Sequence, residues 1–339
     1  MSKNKLVMLI FLLVLAVVLT GCANKFTTSG KIAMGSKRWD KAIGDFKLAL
    51  EQTPNDGEVH YLIARCYKEK DDYAAMVSHL NAADTLYVKG AKKIHDLREG
   101  TWKELFESGN TNTKNGNYEK ARGEFETAIG LMPDNYAAHI NLGVACQNLE
   151  DSACAYSSFK EAYRLEPEKI PVLENFANYC FNVGKYDEAD GIYTIILEKE
   201  SGNVIAIINK GTIASLKGDY ETAVNYYNTA LENESDNCDL WFNLGVLYFQ
   251  QIKNNDEALN AFSRAVELCP EDISAHINLN VALLSLKKFD EAVTNLETFT
   301  QDFPDECVGW DLYSQALLQK GMRSQALDAQ KKFEECKGE

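Results

Sequence analysis

Basic residues are in short supply. The 339-residue chain holds 35 Lys and Arg against 50 Asp and Glu, a formal net charge of −15. Affinity for nucleic-acid phosphates rests mainly on Lys and Arg, so this balance argues against a nucleic-acid partner. It argues equally against a polybasic patch for an anionic membrane surface. Proline is scarce too: six residues, which excludes a long proline-rich stalk. No phosphate loop, Gly-x-Ser-x-Gly, His-Glu-x-x-His or glycine-rich dinucleotide motif occurs, and no cofactor or catalytic residue is implied. Cys-x-x-Cys is missing, so neither a zinc ribbon nor a thioredoxin-like site is supported. What remains is 45% hydrophobic and 25% charged, the composition of an ordinary folded protein. Global disorder and a multi-span membrane protein are both excluded.

The N-terminus reads as an address. Lys3 and Lys5 precede an apolar run from Leu6 to Thr20, shorter than the ~20 residues of a spanning helix. It has the form of a secretory h-region. Leu19-Thr20-Gly21-Cys22 follows and resembles a bacterial lipobox. That resemblance implies cleavage of residues 1–21, a diacylglycerol on Cys22 and a membrane-anchored mature chain in the bacterial cell envelope. Ala23 after the cysteine implies the outer membrane, facing the periplasm.

The remainder is one motif repeated. Ala121, Ala155, Ala189, Ala223, Ala258, Ala292 and Ala326 recur in matching contexts at steps of 34 or 35, and Ala42 and Met76 extend the series backwards. With this residue as position 20, position 8 is Gly30, Gly109, Gly143, Gly211 and Gly245. Position 24 is large, as at Phe46, Phe125, Phe159, Tyr227 and Phe262. Pro54, Pro133, Pro167, Pro270 and Pro304 hold position 32, where proline stops a helix. Gly116, Gly184, Gly218 and Gly321 at position 15 mark a turn within the repeat. The apolar spacing is helical.

A 34-residue period with these marks resembles the tetratricopeptide repeat (TPR). The resemblance implies an all-α fold: a right-handed α-solenoid superhelix of about nine helix-turn-helix repeats. They fall at about 23–56, 57–90, 102–135, 136–169, 170–203, 204–237, 238–272, 273–306 and 307–339. Two repeats thus occupy 23–90 and seven occupy 102–339, the last with Arg323 and Gln330 at apolar positions, as suits a polar cap. Residues 91–101 form a charged insertion, either an early extension of the helix carrying Trp102 or a loop before it. One extra residue near Lys253–Asn255 is expected to lengthen a turn. Small residues at positions 8 and 20 are expected to let the paired helices approach, and large ones at 17 and 24 to fill the space between repeats.

By the same resemblance, positions 2, 5, 6, 9, 12 and 13 line a concave wall. Position 6 is Asn141, Asn175, Asn209, Asn243 and Asn278 in five successive repeats. A primary amide donates and accepts, and so can hold a peptide backbone without reading side chains. The row resembles the asparagine ladder in the TPR region of O-linked N-acetylglucosamine transferase; asparagine is also common at this TPR position, so inherited consensus is the competing account. Around it stand Ile208, Phe242, Val246, Phe249, Val281 and Leu284, suited to apolar anchors of an extended or helical segment. The Lys/Arg clamp of TPRs that bind acidic tails is reduced to Lys103 and Lys114.

Cys238 with Cys269, and Cys307 with Cys336, fall near positions 1 and 31 of their repeats, adjacent ends of a helix pair, and are expected to form disulfides. Cys146 and Cys154 flank an inner turn and could pair; Cys66 and Cys180 are not expected to meet. His60, His139 and His276 hold position 4, where Trp241 and Trp310 stand elsewhere, and read as structural substitutes. Acid pairs such as Asp187-Glu188 and Asp290-Glu291 open second helices, where the dipole favours them. The sequence therefore points to a non-catalytic, membrane-anchored scaffold that holds peptide segments of envelope proteins for assembly or secretion. The alternative is a ligand-handling accessory lipoprotein of a solute transporter, which calls for a closed apolar pocket. Oligomeric state is not encoded legibly.

Overall fold

The computed structural model describes residues 25–338. The candidate signal segment 1–21 and Cys22 lie outside the described residues. Eighteen helices and no strand occur among the described residues, arranged as nine consecutive hairpins. The first four hairpins are α1 (residues 25–35) with α2 (Trp39–Gln52), α3 (Gly57–Lys68) with α4 (Tyr73–Leu86), α5 (Ala91–Lys114) with α6 (Tyr118–Leu131), and α7 (Tyr136–Asn148) with α8 (Ser152–Leu165). The fifth is α9 (Ile170–Asn182) and α10 (Tyr186–Lys199). Then come α11 (Val204–Leu216) with α12 (Tyr220–Asn233), α13 (Cys238–Val246) with α14 (Asn255–Leu268), α15 (Ile273–Ser285) with α16 (Phe289–Asp302), and α17 (Cys307–Gln319) with α18 (Arg323–Lys337). The helices group into two compact units, one ending at Asn175 and the other beginning at Phe176. Within each unit a second helix packs against the first helix of the next repeat, as α6 does on α7 and α14 on α15.

Repeating polar residues set the helix ends. Asp56, Asn135, Asn203, Asn237 and Asp272 each accept a hydrogen bond from a free N–H in the first turn of the helix that follows. Asp72, Asp151 and Asp219 do the same for second helices. At the turn inside the hairpin the backbone enters the left-handed region. Gly116, Gly184, Gly218 and Gly321 adopt it, but so do Lys37, Asp71, Glu150, Lys253 and Lys287, with φ between 55° and 63°. The turn is thus a property of every repeat, and glycine supplies it in fewer than half.

The position-8 glycines explain the close approach. An added Cβ would stand 2.5 Å from the Phe46 ring at Gly30, 2.6 Å from Phe125 at Gly109 and 2.8 Å from Phe159 at Gly143. The position-24 ring therefore covers the glycine of its own hairpin instead of filling only the space between repeats, which corrects the sequence expectation. In the second and eighth repeats, where position 8 is Ala64 and Asn280, position 24 is Leu80 and Leu296; the fifth repeat instead combines Ala177 with buried Tyr193.

In five of the nine hairpins a ring at position 4 ties the hairpin to the loop before it. Trp241 Nε1 donates to Ser235 O at 3.0 Å and Trp310 Nε1 to Pro304 O at 2.9 Å. His139 Nε2 reaches Pro133 O, and His276 Nε2 reaches Pro270 O, both at 2.9 Å. A carbonyl only accepts, so these rings carry their proton on Nε2 and copy the indole N–H. His60 makes the same approach to Pro54 O at 3.3 Å.

Two irregularities are local. The charged stretch 91–101 is the beginning of α5, which at 24 residues is the longest described helix. Contrary to the sequence expectation, the extra residue of the seventh repeat does not lengthen a turn. It is absorbed as a π-helical segment, Leu247–Ile252, that continues α13 and closes on the left-handed Lys253. One added residue fits a helix when one turn widens, and buried Leu247 holds that widened turn against the core.

Candidate protein-binding surface

The first helices present the wall positions. Along them the five asparagines do not behave alike. Asn141 Nδ2 donates to Asn110 Oδ1 at 2.7 Å, linking α7 to α5. In the second unit Asn209 Nδ2 donates to Tyr193 Oη at 2.8 Å, and Tyr193 Oη donates to Asn178 Oδ1 at 2.7 Å. These amides bind neighbouring helices together. Asn175 and Asn278 donate to the backbone carbonyls of Pro171 and Ser274, one turn earlier in their own helices, at 2.7 and 2.9 Å. Of the five, Asn243 is exposed and the others are half-buried. The row is thus partly engaged in holding the scaffold, and its uniform spacing in sequence conceals three different environments.

The apolar wall is continuous in the second unit. Phe242, Val246 and Phe249 on α13 and its extension, and Ile277, Val281 and Leu284 on α15, pack against the core cluster around Phe262, Leu279 and Leu283 while remaining half-exposed. Phe242 leans on the buried Phe262 ring at 5.9 Å between centroids. At either side Ile205, Leu216, Val308 and Leu318 stand more than a third exposed at wall positions. Scattered exposed apolar residues need no explanation, but a strip on successive helices makes this wall the candidate surface.

The first unit carries a different wall. The beginning of α5 lies across the wall positions of the second repeat, leaving a cleft of about 500 Å³ lined by Glu58, Tyr61, Arg65, Tyr87, Lys93 and Asp96. Gly90 allows this: a Cβ there would stand 2.0 Å from the Tyr87 ring. Glu58 is paired with Lys31 at 2.8 Å, and Arg65 stacks over Tyr61 at 5.9 Å.

Three disulfides occur among the described residues. Cys238 is bonded to Cys269 and Cys307 to Cys336, with Cα separations of 6.0 and 5.5 Å, and Cys146 is bonded to Cys154. Cys66 and Cys180 are free and buried. Burial, the largest influence, pushes the Cys66 thiol up to about 11 and the Cys180 thiol up to about 12, leaving both poor nucleophiles. His79, which sequence reading did not single out, meets His60 with their Nδ1 atoms 2.9 Å apart and stacks on Tyr67. Burial, followed by the charges of His60 and Lys47, pushes its pKa down to about 4. No group of three or more His, Cys, Asp or Glu is placed to hold a metal among the described residues, and none of their helices is long and apolar enough to cross a membrane.

Comparison with known proteins agrees with this architecture. Residues 108–168 and 239–272 match models described as tetratricopeptide repeat, and residues 216–251 one described as TPR repeat. The chain carries TPR hairpins, and its fold is all-α. It is similar to the protein O-mannosyl-transferase TMTC3 of Homo sapiens, 26% identical over 67% of this chain and 26% of that protein. The chain thus spans about a quarter of that relative. Among solved structures it resembles a tetratricopeptide repeat protein from Parabacteroides merdae, with TM-score 0.53 and 20% identity over 70% of this chain and 93% of that one. It also resembles pilF of Pseudomonas aeruginosa, with TM-score 0.52 and 14% identity over 64% and 99%. TPR hairpins are typically non-catalytic scaffolds for protein interaction.

Proposed function

We propose that the protein is a non-catalytic scaffold, anchored to the bacterial envelope through a lipid on Cys22, that holds a segment of another protein along the first-helix wall of its second unit. The half-exposed strip of Phe242, Val246, Phe249, Ile277, Val281 and Leu284 carries the reading. Its rings and branched side chains offer apolar anchor sites to an extended or helical segment, and exposed Asn243 offers the segment's backbone a donor and an acceptor. Assembly or secretion of envelope complexes is the work such a holder would serve. The solute-transport alternative needs an enclosed apolar pocket. The cleft beside α5 is instead open and carries Glu58, Arg65, Lys93 and Asp96, so the wall is favoured.

Two measurements test the proposal. Full-length protein with Val281→Asp, shown by circular dichroism to keep its helices, should lose at least tenfold affinity for apolar-anchored peptides. Unchanged affinity would move binding off this wall. Intact mass of the protein isolated from membranes should show loss of residues 1–21 and a diacylglyceryl Cys22. An unmodified chain beginning at Met1 would remove the anchor.

A further inference from the structure

The acids of this chain are not evenly spread. Of the 50 Asp and Glu, 27 lie after Asn175, against only 13 of the 35 Lys and Arg. The second unit therefore carries −14 of the formal −15, and the first unit is close to neutral. This division coincides with a change in the wall. In the last four repeats the positions facing the wall hold no Lys or Arg at all. They hold apolar residues, uncharged polar residues and two acids, Asp239 and Asp311. Asp239 is exposed on the first turn of α13 beside the strip. Asp311 stands half-buried on α17 and accepts a hydrogen bond from Gln315 Nε2 at 2.9 Å. The wall positions of the first unit, by contrast, carry both signs, with Arg65, Lys103 and Lys114 among Glu58, Glu107 and Glu174.

From this we infer that the segment held by the second unit is cationic as well as apolar: a basic amphipathic stretch, with apolar anchors on the strip and Lys or Arg at its polar positions. The inference rests on the proposed wall and adds its charge selectivity. Two physical arguments carry it. A surface with a field of one sign and no counter-charge concentrates partners of opposite sign and raises their association rate. An acidic segment would meet that field with no basic side chain on the wall to accept it, and like-charge juxtaposition is how interfaces reject wrong partners. The same absence of a basic clamp disfavours acidic chain ends as cargo.

The test uses full-length protein and three synthetic 18-residue peptides of identical apolar anchors, with lysine, glutamine or glutamate at the remaining positions. Binding is followed by fluorescence anisotropy at 50 and 500 mM NaCl. The lysine peptide should bind at least 30-fold tighter than the glutamate peptide in low salt. That ratio should fall severalfold in high salt, because screening shortens the range of exposed charges from about 10 Å at 0.1 M to a few ångströms. Asp239→Asn with Asp311→Asn should cut the preference at least threefold, while the glutamine peptide's affinity stays put. Val281→Ser, which removes an apolar anchor and adds no charge, should weaken all three peptides. Equal binding of all three to the unaltered protein, or a preference that ignores the two Asn substitutions, would overturn the charge inference and leave the wall standing. If no peptide binds, the wall itself is wrong.

Discussion

Gly143 and Gly191 both sit inside helices, yet the same change to alanine should move stability in opposite directions. Alanine in a helix interior is favoured over glycine by about 1 kcal/mol, largely because the unfolded chain loses freedom. Around exposed Gly191 a new Cβ meets nothing within 4 Å, so Gly191→Ala should gain most of that amount. At Gly143 the new Cβ would lie 2.8 Å from Phe159 Cε1 and 2.9 Å from Cδ1 and Cζ. Carbon atoms pack comfortably at about 3.5–4.0 Å, so the ring must retreat by more than half an ångström. Phe159 is 2% exposed and has little room to retreat. Overpacking of this kind costs about 1–3 kcal/mol. Set against the ~1 kcal/mol helix gain, the expected net change for Gly143→Ala is a loss of up to about 2 kcal/mol. Phe159→Leu should relieve it, because the second and eighth repeats combine Leu80 and Leu296 with Ala64 and Asn280 at position 8. The assay is urea unfolding of both singles and of the Gly143→Ala/Phe159→Leu double, with a coupling of at least about 1 kcal/mol expected. A Gly143→Ala protein as stable as Gly191→Ala would refute the ring-over-glycine account of the hairpin.

Other outcomes follow from single features. Lys287 is exposed, makes no ion pair and has φ 59°, so Lys287→Gly should raise the thermal midpoint, by relief of about 1 kcal/mol of left-handed strain. His79 is held neutral: its folded pKa of about 4 lies below the ordinary 6.5. Stability is therefore complete above pH 6.5 and declines as pH falls toward 4, by at most about 3 kcal/mol; His79→Phe should flatten that part of a pH-stability curve. Cys269→Ser should weaken the second unit by about 2–4 kcal/mol in urea under oxidising conditions and by nothing in excess reductant. Iodoacetamide should modify Cys66 and Cys180 only after denaturation.

Much of the fold could be read in the sequence because one repeat constrains the next. Alanine at 20, proline at 32 and glycine at 8 each answer a local steric demand, and that demand recurs in the structure. Histidine for tryptophan at position 4 was legible as substitution, and the shared N–H to a loop carbonyl supplies its reason. The asparagine row was legible as a row but not in its contacts. Whether Asn141 faces a ligand or its neighbour depends on Asn110, one repeat away, and a residue-type pattern carries no such information. The ion pair of buried Lys210 with the partly exposed Asp190 Oδ1 at 2.7 Å was missed for the same reason, since its partners lie on different repeats. The left-handed turns at Lys37, Asp71 and Glu150 escaped because only glycine advertises that conformation. The π-helical segment at Leu247–Ile252 could not be told from a longer turn, because periodicity counts residues and not where a helix widens.

The position-4 ring bond bears on what a repeat is as a unit of inheritance. The donor ring belongs to one 34-residue copy and its carbonyl to the tail of the copy before, as with Trp310 and Pro304. A duplication cut at the start of a first helix would separate the two, delivering a ring without its acceptor and leaving a loop carbonyl exposed. A cut placed just before the proline would move both together. Duplications and transplants of these hairpins should therefore be tolerated best when their borders fall in the middle of the loop, upstream of the proline, so that the piece that travels whole is displaced by a few residues from the piece that looks like a hairpin.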